Sequence, residues 1–481
     1  MSYSLLFISL FALCLVVGLA VIYAITKLSK SIHDVEKDLQ DSNTPTTVKQ
    51  EAKIENLVDV AGGYKYAGLI AAVILVFFGI YLTVQGTPYE GHFREWLNLT
   101  VRLIHITFGI AWIGASFYFV FLENSLNRTK GLRDELAGNL WAVHGGGFYY
   151  LEKYKLAPKT IPKELHWFKY EAYFTWISGM SLLSVVYYFN AKGFLIDPTV
   201  MDISPITAVS LGVGSLIAGW VIYAYLSESA LSQNVPLFAA AGLVILTGFA
   251  YFYCSIFSAR AAFIHFGALL GTMMVGNVFF VIIPAQKEMV RCAKEGIPLD
   301  PSLGKNAGWR SLHNNYFTLP VLFTMISNHF PSTFGAENNW VVLIAISIGT
   351  AGIKHYLNLI EQEKSSTWVL PISVFILLMT AFITAPTIST EECEEVSFAE
   401  VYPIIEARCI SCHSSQPTDD VWTSAPNGVM YDTPQQVAAK ADLIMQRVVV
   451  TKNMPQNNKT GMLPAERNLI RCWINQGALT E

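Results

Sequence analysis

Long apolar blocks recur along the chain, separated by short polar connections. Ten stretches are each long enough to span a bilayer's hydrocarbon core, which takes about 20 mostly apolar residues. They are 4–26, 66–85, 97–122, 172–190, 206–226, 236–257, 262–284, 313–330, 339–357 and 367–386. The first reads as a span and not a cleaved leader, because it has no basic n-region and no small-residue cleavage site before Lys27. The weakest is 313–330, which opens on His313-Asn314-Asn315, contains Pro320 and ends at Asn328-His329-Phe330. The pattern predicts an all-α, polytopic bundle of nine to ten transmembrane helices. Residues 1–65 form an extra N-terminal helix and linker, 66–388 the membrane domain, and 389–481 a polar C-terminal domain.

Composition agrees. Of 481 residues, 53% are hydrophobic and 14% charged, where a soluble domain carries about 25% charged residues. Lys+Arg at 32 against Asp+Glu at 36, with no basic block, leaves no footprint for nucleic acid. With the N-terminus placed outside, the inner connections hold 20 Lys/Arg and the outer ones 3. Basic loops stay on the cytoplasmic side, so ten spans place the C-terminus outside too. Without the span at 313–330 it would be cytoplasmic.

The C-terminal domain contains Cys409-Ile410-Ser411-Cys412-His413, the C-x-x-C-H signature of c-type haem attachment. Two thiols three residues apart reach the two vinyl groups, and the next histidine supplies an axial nitrogen. Helical runs at 398–408 and 464–476 flank the haem segment as in a small cytochrome c. A thioether is the expected sixth ligand of an electron-transfer haem. Met454, in a loop before the last helix, is the first candidate and Met462 the second. Met430 and Met445 read as core or helix-face residues. Cys393 and Cys472 read equally as a disulfide or as two free thiols. Cys14, Cys254 and Cys292 read as apolar filler.

Ionisable groups inside spans are costly and mark function. Arg102, His105, His265, Asn328 and His329 fall near the outer face, with His92, Arg94 and Arg260 in adjoining loops. Arg102 and His105 share one helix face by their i, i+3 spacing. Near the inner face lie His144, His166, His313, Lys354 and His355. Gly145–Gly147 after His144 read equally as backbone that approaches a ligand closely or as a flexible turn. Residues 165–171 read as an aromatic interfacial belt. Two chemistries suit such histidines: haem b held between helices, or acid–base work on an anion oriented by arginine.

Longer motifs carry a resemblance. Gly91-His92-Phe93-Arg94-Glu95-Trp96, Leu103-Ile104-His105 and the run 109–119 resemble the bacterial membrane-bound cytochrome c urate oxidase (urate hydroxylase) family. So do the stretches at 141–149, 166–173, 313–331, 428–437 and 451–462. The similarity runs from about residue 66 to the end; residues 1–65 depart from it. It implies oxidation of urate to 5-hydroxyisourate in purine catabolism, at the bacterial inner membrane. Electrons would leave through one covalent haem c in the periplasm to a downstream cytochrome or terminal oxidase. The expected haem ligands are Cys409, Cys412, His413 and Met454, with the iron on His413 and Met454. The resemblance does not say which membrane residues are catalytic; by depth, charge and nearness to the haem side the expected urate site is Arg102, His105, His265 and His329, with His144 and His313 as the rival. An alternative is a non-enzymatic subunit passing electrons from haem b to haem c, disfavoured because the span histidines do not form a paired ladder. A third reading is a purine transporter carrying a redox sensor.

Overall fold

The computed structural model describes residues 79–481, except 81, 88, 130, 163, 363, 365, 386–391, 420, 423 and 481. The span at 4–26, the linker and most of the span at 66–85 lie outside the described residues. The chain divides into two compact units, Met1–Leu97 and Asn98–Glu481. In the first, Glu90 ties its own turn together, accepting from the Gly86 amide at 2.7 Å and pairing with Arg94 at 2.6 Å.

The second unit is mostly helical. Helix α1 (Glu90–Asn124) enters it; α2 (Tyr170–Leu183), α3 (Pro205–Glu228), α4 (Val235–Ile256), α5 (Ala259–Gly276), α6 (Ile283–Glu295), α7 (Pro301–Ile326), α8 (Asn339–Glu361) and α9 (Val369–Ile383) follow. Starts are set by local chemistry. The Ser204 and Asn234 side chains accept from the Thr207 and Leu237 amides, each with a proline in the first turn. Asp300 does the same for α7 ahead of Pro301. Gly296, at φ +67°, ends α6 in the left-handed conformation that glycine adopts freely.

Among the described residues, five helical segments are long and apolar enough to cross a membrane: α1, α3, α4, α5 running through α6, and α8; α9 is apolar but shorter. The apolar window of α5 is 61% buried and that of α4 only 6%, so α5 is the central helix and α4 lies at the rim. Ile217 and Tyr225 on α3, Val244 on α4 and Phe375 and Phe382 on α9 are exposed, an apolar surface of the kind lipid covers. The expected span at 313–330 is displaced: α7 begins twelve residues earlier, at Pro301. Arg310, counted above among cytoplasmic loop charges, is therefore inside a helix and fully buried.

Two departures from regular helix matter. The chain after α2 winds as π-helix over Ser184–Tyr188 and again over Ala191–Leu195, and α5 passes into α6 through π-helix at Asn277–Ile282. Such bulges rotate the residues beyond them and recur at functional sites.

The all-α expectation needs one correction. Residues β1 (Leu136–His144) and β2 (Gly147–Tyr154) form an antiparallel hairpin, His144 pairing with Gly147. Gly145 and Gly146, both at positive φ, are its two-residue turn, the backbone shape that matches strand twist. The triple glycine is thus hairpin chemistry between aromatic-rich strands. Among the described residues the hydrophobic cores include a large one centred on α3–α5 with parts of α2, α7 and α8, a small one around Ala172, Val275, Val278 and Ile283, and a separate one within residues 398–478.

Candidate active site

In the C-terminal region, α10 (Phe398–Arg408) starts on a Ser397/Glu400 capping box and delivers Cys409 at its end. The chain turns tightly, the Cys412 and His413 amides donating to the Cys409 carbonyl at 3.2 and 2.9 Å. His413 Nδ1 lies 2.9 Å from the Val429 carbonyl oxygen. A carbonyl only accepts, so Nδ1 carries the proton and Nε2 is left with a lone pair, the tautomer an axial ligand requires. Cys409 and Cys412 are unbridged. Burial, with Cys412 beside it, pushes the Cys409 thiol up to about 12. Cys393 and Cys472 are bridged, Cα to Cα 5.3 Å, joining the start of the region to α11 (Pro464–Asn475).

Met454 is half-buried against this core, and the Arg467 guanidinium donates to its carbonyl at 2.7 Å. Met462 is 3% exposed within the core. If Met454 is the ligand, Met454→Ala lowers the haem potential by removing the thioether that favours ferrous iron. Met462→Ala then costs about 2–5 kcal/mol of stability as a core truncation, with the potential little changed. Redox titration beside chemical denaturation separates the two, and exchanged outcomes make Met462 the ligand.

The loop bearing Met454 rests on the helical unit. Gln456 Nε2 donates to the Gly193 carbonyl at 2.7 Å, and Asn457 Nδ2 donates to Gly193 and Ile196, each at 3.1 Å. A Cβ on Gly193 would sit 2.9 Å from Val421, so only glycine permits this approach. Phe194 packs edge-on to Trp422 at 5.8 Å.

Directly beneath lies the first polar layer. Tyr187 and Tyr188 come from the π-helical turn, His265 from α5, Asn328 from the end of α7, and Arg102 and His105 from α1. Asn328 Nδ2 donates to Tyr187 Oη at 3.3 Å. His265, fully buried, has both nitrogens bonded: Nδ1 to the Ala261 carbonyl at 2.8 Å and Nε2 to Tyr188 Oη at 3.2 Å. His105 Nδ1 donates to the Thr175 carbonyl at 3.0 Å, and Arg102 donates to Asn98 at 3.1 Å. His329 is exposed on a 3-10 turn. Ring centroids step at 5.8 to 6.4 Å from Tyr253 to His265, Tyr187, Phe194 and Trp422.

A second polar layer lies deeper, away from the C-terminal region. Tyr223 on α3, Asn277 at the π-helical bulge after α5, and Arg310, His313 and Asn314 on α7 form one network. Tyr223 Oη is 2.6 Å from His313 Nδ1; Asn277 Nδ2 donates to Tyr223 Oη and to Asn314 Oδ1, both at 2.8 Å. Asn314 Nδ2 donates to the Met274 carbonyl at 3.0 Å. Beside it, Asn315 donates to Asn358 at 3.0 Å, and the buried Lys354 ammonium sits 3.7 Å from the Phe117 ring centroid. His355 meets Tyr316 at 2.6 Å. His144 is exposed at the end of β1 and takes no part in the network around His313, and His166 is exposed against Phe168.

Arg102 and His105 lie on α1 and His265 on α5 in the first layer, His313 belongs to the second, and His144, the expected companion of His313, is exposed at the end of β1. Sequence reasoning missed Tyr187, Tyr188, Tyr223, Asn277 and Arg310. The one signal for them was the run of polar residues opening the stretch at 313–330, which continues Arg310 on the same helix. Among the described residues no cluster of three or more His, Cys, Asp or Glu side chains could hold a metal ion.

Residues 91–385 match the family model described as urate oxidase N-terminal, which is more than half of the chain. No curated protein and no solved structure matches the chain.

Proposed function

The chain belongs to the urate oxidase N-terminal family, and we propose that it oxidises urate to 5-hydroxyisourate within a membrane bundle, passing electrons to a fused c-type haem. The observation that carries this reading is the pairing, in one chain, of the family match over 91–385 with a C-x-x-C-H segment whose His413 keeps Nε2 free.

The reaction balances as urate plus water giving 5-hydroxyisourate, two protons and two electrons. Neither molecular oxygen nor hydrogen peroxide enters that balance. A c-type haem, when bound, supplies one-electron acceptance, so each turnover takes two transfers. Cys409 and Cys412 would hold it covalently, His413 and Met454 axially. The protein's own tasks are to bind an anionic purine, take up its protons and shorten the path to the C-terminal region. The ring series from Tyr253 to Trp422 lies along that path, and the Gly193 contact seats the Met454 loop at its end. The Cys393–Cys472 bridge supports an oxidising compartment for this region, in accord with 20 Lys/Arg on the inner connections against 3 outside. We therefore place the protein in a bacterial inner membrane with the haem facing the periplasm and a downstream cytochrome or terminal oxidase as acceptor.

The relay of haem b to haem c is less well supported. A bis-imidazole haem needs free Nε2 atoms facing one another, and His265 already spends its Nε2 on Tyr188.

Urate added anaerobically to the purified protein is expected to produce the reduced haem c spectrum in proportion to 5-hydroxyisourate formed. A haem that stays oxidised under urate, yet is reduced by a chemical reductant, would sink the reading. A haemochrome spectrum with b-type bands would favour the relay.

A further inference from the structure

Three adjacent polar groups on the first half of α7 are buried without a hydrogen-bond partner: Trp309 Nε1, Arg310 Nε and His313 Nε2. Arg310 is 0% exposed. Its contacts to Asn277, to the Ala224 carbonyl and to Glu228 are all 3.4 Å, at the limit of a hydrogen bond, and the Glu228 side chain is 66% exposed. A buried guanidinium with so weak a counter-charge is costly.

The polarity of the neighbouring network settles what these atoms offer. The Met274 carbonyl can only accept, so Asn314 must turn its amide nitrogen to it and its oxygen to Asn277. Asn277 then gives its nitrogen to Asn314 and Tyr223 and its oxygen to Arg310, which can only donate. Tyr223 Oη accepts from Asn277 and lies 2.6 Å from His313 Nδ1. When the phenol sends its hydrogen to that nitrogen, Nδ1 is the acceptor and Nε2 carries the proton of the neutral ring. All three unpartnered groups are N–H donors, one on a cation, within four residues of one helix and walled by aromatic rings: Trp309 lies 4.4 Å and Phe238 4.9 Å from the His313 centroid.

We propose that this donor triad of Trp309, Arg310 and His313 is the binding site for the anionic purine, received through its oxygen-rich edge. The proposal rests on the functional reading above and names its site. A planar heterocyclic anion carries the acceptors that such donors lack and would offset the Arg310 charge. His313 acts as a hydrogen-bond donor to developing negative charge and not as the base. The site lies about 25 Å along α7 from Asn328, on the side away from the C-terminal region, so urate enters from the cytoplasmic half and electrons travel outward.

The test is equilibrium binding of urate to the full-length protein in detergent, run beside anaerobic haem reduction and covalent haem content. Arg310→Gln is expected to weaken urate binding about 10–100-fold, the worth of a charged hydrogen bond. His313→Leu should weaken it by more than His313→Gln, which keeps a donor. Trp309→Phe removes one N–H with little change of volume and should cost several-fold, which keeps the proposal testable if Arg310→Gln fails to fold. Arg291→Gln, an exposed arginine on α6, serves as the control and should bind as the wild type does. Unchanged binding in Arg310→Gln and Trp309→Phe, or loss confined to Arg102→Gln and His105→Ala, would overturn the site while leaving the function standing. A wild-type protein that neither binds urate nor is reduced by it would overturn the function itself.

Discussion

Replacing both Cys409 and Cys412 by alanine is expected to leave a chain with no covalent haem and no urate-driven colour change. The reason is chemical: two thioethers are the only covalent tether, and His413 alone offers a single coordinate bond. Haem staining on a denaturing gel checks it, since only covalent haem survives there. The helical unit has its own core, separate from that of residues 398–478, so the variant should still insert and bind urate. Retained haem stain in the double variant would remove the attachment assignment and, with it, the electron exit proposed above.

The second large effect is expected at the disulfide. Cys393→Ala with Cys472→Ala opens a link between residues 79 apart. Closing a loop of that length stabilises by about 4 kcal/mol in the chain-entropy model. Trp473, 1% exposed and 5.4 Å from Phe398, adjoins the lost bridge, so α11 and α10 should separate at lower denaturant than in the parent. The measurement is the denaturation midpoint of the C-terminal region in the full-length protein, followed by the haem band. An unchanged midpoint would mean that the core of Val401, Ile405, Ile470 and Trp473 holds the region without the bridge. The helical unit should keep its own midpoint, because neither cysteine contributes to its core.

Much of the molecule follows from the sequence by itself. Runs of about 20 apolar residues must be helical if they cross lipid, since only a helix satisfies its own backbone there; α1, α3, α4, α5 and α8 lie where those runs predict. The C-x-x-C-H pentad and its flanking helices are local, with spacing set by the covalent chemistry, and α10 and α11 appear as expected. The hairpin at 136–154 was not expected: Gly145-Gly146, read either as close backbone approach to a ligand or as a flexible turn, is its two-residue turn.

What the tertiary structure decided is which helices adjoin and which polar groups meet. Hydrophobic periodicity says that a face is buried but not against what. Asn277, the first residue of the π-helical segment, meets Tyr223 from another helix, and Tyr223 reaches His313 across 90 residues of chain. Arg310 looked like a loop charge because α7 was expected to start at 313; the helix starts at Pro301 and carries the guanidinium into the core. The pairing of Cys393 with Cys472, open in the sequence, required α11 to lie against the start of the region. The seating of Gln456 and Asn457 on Gly193 joins residues more than 260 apart. Nearest-neighbour pattern encodes helices, whereas a buried polar site is built from partners far apart in sequence that only packing brings within hydrogen-bond reach.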